Sequence, residues 1–170
     1  VICYGCTSAS VVIGDDVIRD AIHSVRPGVP VVTPSGAARL AFAALGVSRI
    51  SVLTPYLIET SEPMANYFSE HGMTIENFEC LGLEDDRPMA RVTRDTIIEA
   101  VCQIDTPQTE ALFVSCTALP AVAAIAEIEA RTGKPVVTSN QASSWAMMRL
   151  AGIDHKPQGY GRLFDLDIHH

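Results

Sequence analysis

Short apolar runs, several of them rich in β-branched residues, alternate along the chain with stretches whose apolar positions recur every three or four residues. That alternation predicts an α/β architecture with a mainly parallel sheet. Residues 1–4, 29–32, 50–53, 74–80, 111–115 and 135–137 read as strands. Over 16–25, Val17, Ile18, Ala21, Ile22 and Val25 fall on one face of a helix. Residues 36–45 and 57–70 follow the same spacing, and Gly46 and Gly72 stand where a helix ends in left-handed backbone. A helix over 94–104 follows a Thr93 cap, one over 120–131 begins with a proline at a favoured first-turn position, and one over 141–151 stops at Gly152.

The pattern also repeats. CTSAS, a helix and PVVTPSGAARLAFAALGV are matched later by CTALP, a helix and PVVTSNQASSWAMMRLAGI. From the threonine of PVVT to the next helix-stopping glycine is 13 residues in the first copy (Thr33 to Gly46) and 14 in the second (Thr138 to Gly152). The period, 110 residues from Cys6 to Cys116, is too long for a solenoid unit and implies two similar, pseudo-symmetric α/β halves with a cleft between them. The expected halves are residues 1–46 with 138–170, and residues 47–137. An approximate two-fold sets equivalent loops face to face. Cys6 and Cys116 are then expected to meet across one pocket, at the carboxyl ends of strands, where open α/β sheets bind ligands.

Composition narrows the partners. With 170 residues and 48% apolar content, the chain can bury a sizeable core. Its net charge of -8 and 12 scattered basic residues give no footprint for nucleic acid or an anionic membrane surface. No run of about 18 apolar residues reads as a membrane span, and no charged stretch followed by an apolar one suggests secretion, so a cytoplasmic setting is expected. Five cysteines are an odd number in a chain too large to need staples, which favours reduced thiols. Val1 to Tyr4 reads as the end of a buried strand, so an upstream segment is expected. The closing His169 and His170 read equally as a tag remnant or as native sequence.

A thiol at a strand-to-helix junction lies near loop N–H groups that favour the thiolate, and becomes usable as base or nucleophile. Two such thiols on opposite faces of one carbon can remove a proton from one side and deliver one to the other without a cofactor. Thr7, Ser8, Thr117 and Ala118 beside them offer N–H and O–H donors to a carboxylate or enolate. Cys3 and Cys6 also spell C-x-x-C, but Cys3 falls within the strand. No second C-x-x-C or H-x-x-x-H completes a zinc site.

YGCTSAS, SVLTPY, FVSCTALPA, PVVTSNQASSWAMMRLAGI and the closing GRLF resemble the cofactor-independent aspartate/glutamate racemase superfamily. They fall in the branch holding maleate cis-trans isomerase, arylmalonate decarboxylase and the ectoine-utilisation racemase-like protein, and look most similar to the last. The resemblance covers nearly the whole chain. It implies two pseudo-symmetric halves around a buried pocket, a further β-α-β stretch before the first cysteine, a small carboxylate substrate, no cofactor or metal, and a homo-oligomer. Carried over to this sequence, it makes Cys6 and Cys116 the catalytic thiols, Thr7, Ser8, Thr117 and Ala118 the carboxylate-holding positions, and Tyr56 a pocket residue. Arylmalonate decarboxylases typically have glycine in place of the first cysteine, so Cys6 argues against that activity. Maleate isomerases carry an asparagine in the loop that here reads EDDRPMAR, and Asp85 and Asp86 there would repel a dianion.

Plainer readings stand beside these. Buried cysteines often pack as small hydrophobes, which suffices for Cys3, Cys80 and Cys102. Asp15 and Asp16 read as a helix cap, residues 84–86 as a solvated loop, and Trp145, Met147 and Met148 as packing. Ser35, Asn140 and Gln141 read as cleft-lining or as turn residues. Lys134 and Lys156 read as surface loop residues, which disfavours a pyridoxal Schiff base. Three function classes follow: a racemase or isomerase acting next to a carboxylate, with maleate isomerisation as its alternative; a metabolite-binding protein without turnover; and a dithiol redox protein.

Overall fold

A computed structural model describes residues 1–168; His169 and His170, and with them the reading of the closing histidines, lie outside the described residues. The strands are β1 (Ile2–Cys3), β2 (Val31–Val32), β3 (Arg49–Thr54), β4 (Thr74–Cys80), β5 (Ala111–Val114) and β6 (Val136–Thr138). The helices are α1 (Thr7–Ile13), α2 (Asp15–His23), α3 (Pro34–Leu45), α4 (Ile58–Glu70), α5 (Asp86–Met89), α6 (Arg94–Gln103), α7 (Ile125–Thr132) and α8 (Ser139–Leu150). All strand pairs are parallel: β1 with β2 in a small sheet, and β4-β3-β5-β6 in a larger one. The protein is α/β with parallel sheets, as the alternating pattern predicts.

The repeat extends to the register. Ile2 opposes Val31 and Cys3 opposes Val32 in the small sheet; Leu112 opposes Val136 and Phe113 opposes Val137 in the larger one. In each copy, then, the strand before the Cys-Thr pair lies beside the PVVT strand at the same offset. Each PVVT threonine then caps the following helix. Thr33 accepts the Gly36 N–H at 3.1 Å, and Thr138 and Gln141 form a reciprocal capping box. A Cβ on Gly36 would stand 2.8 Å from Thr33 Oγ1, so the first cap needs glycine there. The two capped helices, α3 and α8, pack against each other and bury Ala37, Ala38, Ala41, Ala142 and Ala146.

The core is centred on three rings. Phe42, Phe68 and Phe113, from α3, α4 and β5, meet edge to face at centroid separations of 5.2–5.9 Å. Trp145 is fully buried, and its indole N–H donates to the Leu166 carbonyl at 2.9 Å. Met147 and Met148 are half-buried against the same core, so all three residues pack as the pattern suggests.

Local details depart from the sequence expectations. Helix α1 begins directly after Cys6, where only a loop was expected, and α5 is a four-residue helix inside the expected loop. The helix expected from Pro120 opens as a 3-10 turn over Ala121–Ala124, with Pro120 outside it at φ −78° and ψ 47°. Asp15 and Asp16 occupy the first turn of α2, and the cap position belongs to Gly14. Lys134 is half-buried and donates to Asp105 Oδ1 at 2.5 Å, so it is no free surface amine. No helix among the described residues is long and apolar enough to cross a membrane.

Candidate active site

Cys6 is exposed and caps α1 with extended backbone (φ −132°, ψ 116°), its sulfur 3.8 Å from Ser8 Oγ. Cys116 is buried just beyond β5. Its φ of 90° makes it the only non-glycine residue with left-handed backbone among the described residues, a conformation costing on the order of 1–3 kcal/mol. That turn lets the Ala118 N–H donate to Cys116 Sγ at 3.3 Å. The Met89 thioether lies 4.0 Å from the same sulfur and covers it.

Three hydrogen bonds join the two Cys-Thr segments, although 110 residues separate the cysteines. Ser139 Oγ accepts from Thr7 Oγ1 at 2.9 Å and from the Cys116 N–H at 3.1 Å. Thr117 Oγ1 donates to the Gly5 carbonyl at 3.0 Å. The threonine hydroxyls are therefore engaged within the protein. Among the described residues, no acceptor outside the helices and strands meets the N–H groups of Thr7, Ser8 and Thr117, and Thr7 itself is buried.

Tyr56, 6% exposed, sits with both thiols. Burial pushes the ionisation of its phenol far above the ordinary range, negative charge at Cys116 and then at Cys6 adds to this, and the Ser115 hydroxyl acts against it. Tyr56 is thereby held as an O–H donor. Ser115 Oγ is buried beside it and makes no other hydrogen bond among the described residues.

All seven residues singled out in the sequence thus lie in one region: Cys6 capping α1 with Thr7 and Ser8 in its first turn, Tyr56 after β3, and Cys116, Thr117 and Ala118 after β5. Of the residues read as cleft-lining or turn-forming, Asn140 reaches this region, donating from Nδ2 to the Thr117 carbonyl at 3.0 Å. Ser35 instead meets Ser10 and Asp15, and Gln141 belongs to the capping box. Asp85 turns to cap α5, accepting the Arg87 N–H at 2.7 Å, and both Asp85 and Asp86 are exposed. The residue of that loop which meets Cys116 is Met89, unmarked in the sequence. Ser139 and Ser115 were unmarked as well; the only sequence signal was their adjacency to PVVT and to the second Cys-Thr.

The other cysteines stand apart. Cys3 lies in β1, half-buried, and burial pushes its thiol up. Cys80 accepts a hydrogen bond from Thr54 Oγ1 at 3.4 Å, and Cys102 packs at the margin of the core. A cavity of about 590 Å³ is bordered by Asp15, Arg19, Thr33, Arg39 and His71, and neither Cys6 nor Cys116 lines it. Cys6 is exposed whereas Cys116 is buried, so the two thiols differ in their access from solvent.

Parallel strands in two similarly registered units, with a pair of thiols beside a buried phenol, define an α/β protein of repeated strand and Cys-Thr units. The chain belongs to the arylmalonate decarboxylase family, whose model matches residues 2–164. It is 36% identical over 141 residues to arylmalonate decarboxylase from Bordetella bronchiseptica, covering 81% of this chain and 59% of that protein. It is 30% identical over 135 residues to maleate isomerase from Pseudomonas putida, covering 79% and 54% respectively. Both relatives are enzymes. The chain spans little more than half the length of each. Among solved structures, a liganded double mutant of arylmalonate decarboxylase superposes with a TM-score of 0.88 at 32% identity, over 96% of this chain and 72% of that one. A maleate cis-trans isomerase mutant from Nocardia farcinica with a covalently bound succinylcysteine intermediate gives 0.90 at 23% identity, over 96% and 70%. The latter likeness bears on the fold alone.

Proposed function

We propose that this chain carries the site of a cofactor-independent racemase or isomerase acting next to the carboxylate of a small amino-acid derivative or dicarboxylate. The observation that carries the reading is the joining of the two Cys-Thr segments through Ser139 and Gly5, with the buried Tyr56 phenol beside them. One thiolate takes the proton from the carbon next to the carboxylate. The electron pair left behind is delocalised into the carboxylate, and the opposite thiol delivers its proton to the other face. The thiols exchange protonation states in each turnover. In this reading the Thr7-Ser8 and Thr117-Ala118 segments and the Tyr56 hydroxyl hold the carboxylate as its charge grows. Residues 1–46 with 138–170 and residues 47–137 form the two halves around this site. A cytoplasmic homo-oligomer completes the reading, and its place in ectoine utilisation rests on the motif resemblance alone.

Exchange of the substrate Cα hydrogen in heavy water tests this, with N-acylated amino acids, aspartate and glutamate as probes. Wild type is expected to exchange at least one of them with inversion, and Cys6→Ala and Cys116→Ala each to abolish inversion and slow the exchange strongly. Equal exchange in all three proteins sinks the idea.

Maleate isomerisation is the second reading, favoured by the 30% identity to the Pseudomonas putida enzyme. One thiolate would add to the double bond, the C–C bond would rotate, and elimination would return the thiolate with the trans diacid. Asp85, turned outward as a helix cap, weakens the electrostatic objection to a dianion. Conversion of maleate to fumarate, followed by NMR, distinguishes this route. A non-catalytic binding protein would bind the same acids with neither reaction.

A further inference from the structure

We propose that Ser139 is a positioning residue that sets the two thiols relative to each other; this rests on the reading of Cys6 and Cys116 as the reacting pair. Ser139 is the first residue of α8 and is fully buried. Its oxygen accepts from Thr7 Oγ1, 132 residues away in sequence, and from the Cys116 N–H, 23 residues away. One atom thus touches the residue after the first cysteine and the backbone of the second.

The attachment point is rigid. Helix α8 is fixed at its start by the Thr138 and Gln141 capping box, and Asn140, the next residue, donates to the Thr117 carbonyl at 3.0 Å. Ser139 and Asn140 therefore grip the Cys116-Thr117 segment at two points: the N–H entering Cys116 and the carbonyl leaving Thr117. Between these points lies the φ of 90° that points Cys116 Sγ toward the Ala118 N–H. A non-glycine residue keeps such backbone only where its surroundings hold it. Through Thr7, the same hydroxyl also fixes the peptide that follows Cys6.

The internal repeat shows that this is no general feature of a PVVT-capped helix. At the equivalent first position of α3 stands Pro34, which has no hydroxyl to offer. The serine occurs only in the copy whose helix start faces both Cys-Thr segments.

The test compares the 170-residue chain with Ser139→Ala and Ser139→Thr, reading each thiol's alkylation rate by iodoacetamide labelling and peptide mass spectrometry. Loss of the hydroxyl is expected to change the rates at Cys6 and Cys116 by about fivefold or more, while Cys80 and Cys102 keep theirs. Threonine, which keeps the hydroxyl, is expected to restore the wild-type rates. With a substrate in hand, Ser139→Ala is expected to lower kcat by about tenfold or more with KM changed less than about twofold. Thr7→Val is expected to reproduce part of the effect and to add little to it in the double variant.

Unchanged rates at both thiols in a folded Ser139→Ala protein overturn the proposal, and so does a uniform rise at all cysteines, which would report general loosening. A raised KM with unchanged kcat overturns it as well. If wild type turns over none of the acids while the two thiol rates still shift together, the functional reading fails and the positioning role stands.

Discussion

Thr117 Oγ1 donates to the carbonyl of Gly5 at 3.0 Å, so the residue after the second cysteine holds the residue before the first. A neutral hydrogen bond of this kind contributes about 1 kcal/mol to stability. Its larger effect is geometric, because the two segments come from distant parts of the chain and no strand pairing joins them.

Thr117→Val keeps the shape of the side chain and removes this donor. The expected outcome is a stability loss of about 1 kcal/mol in urea denaturation, with a disproportionate fall in hydrogen exchange on the substrate of about tenfold. Equal, small changes in both would mean that the tie does not govern the spacing of the thiols.

Tyr56→Phe separates packing from donation. The ring stays buried and the core stays filled, so melting is expected to shift little; kcat is expected to fall about 10- to 100-fold if the hydroxyl stabilises growing negative charge. Because burial and the neighbouring thiols keep Tyr56 protonated far above its ordinary range, no loss of activity at alkaline pH should trace to its ionisation. A pH profile whose alkaline limb disappears in Tyr56→Phe would contradict that assignment.

Much of this site was legible because it repeats. PVVT, Cys-Thr and the stopping glycines recur at matching distances, and the strand register recurs with them. What repetition does not mark stayed hidden. TSASVVI, rich in serine and β-branched residues and without a side-chain cap, gives little helical signal, and its helix is held by packing against α4, α2 and α3. Ser139 and Met89 act through contacts 23 or more residues away in sequence. The left-handed backbone at Cys116 has no compositional sign either, since glycine would be the expected residue there.

Asp15 shows the same limit in a structural role and leads to a pH prediction. Its carboxylate accepts hydroxyls from Thr33, Ser35 and Tyr67, the last at 2.6 Å, and thereby ties α2 to α3 and α4. Burial first, then the hydrogen bond to Asp15, pushes the Tyr67 phenol up to about 12. A group whose pKa is raised on folding stabilises fully below its unfolded value, near 10, and loses that contribution as pH rises through its folded value. Wild type is expected to lose about 2–3 kcal/mol between pH 10 and pH 12 relative to Tyr67→Phe. Parallel stability curves for the two proteins over that range, measured by urea denaturation, would refute the coupling.

Gly161 tests how the end of the chain holds α8 in place. Its φ is 83°, and a Cβ there would stand 2.6 Å from Ile125 Cγ2 and 2.9 Å from Gln141 Nε2. The flanking backbone is tied to the same groups: Gln141 Nε2 donates to the Tyr160 carbonyl at 2.6 Å, and the Arg162 N–H donates to Glu129 Oε1 at 3.2 Å. Since Gln141 also completes the cap of α8, a displaced side chain there disturbs the helix start that carries Ser139 and Asn140. Gly161→Ala is expected to cost about 2–4 kcal/mol, from strained backbone and overpacking together. It should also change the alkylation rate of Cys116 in the native protein, although no atom of residue 161 belongs to the thiol site. Destabilisation without any change at Cys116 would show that the chain end and the start of α8 respond independently.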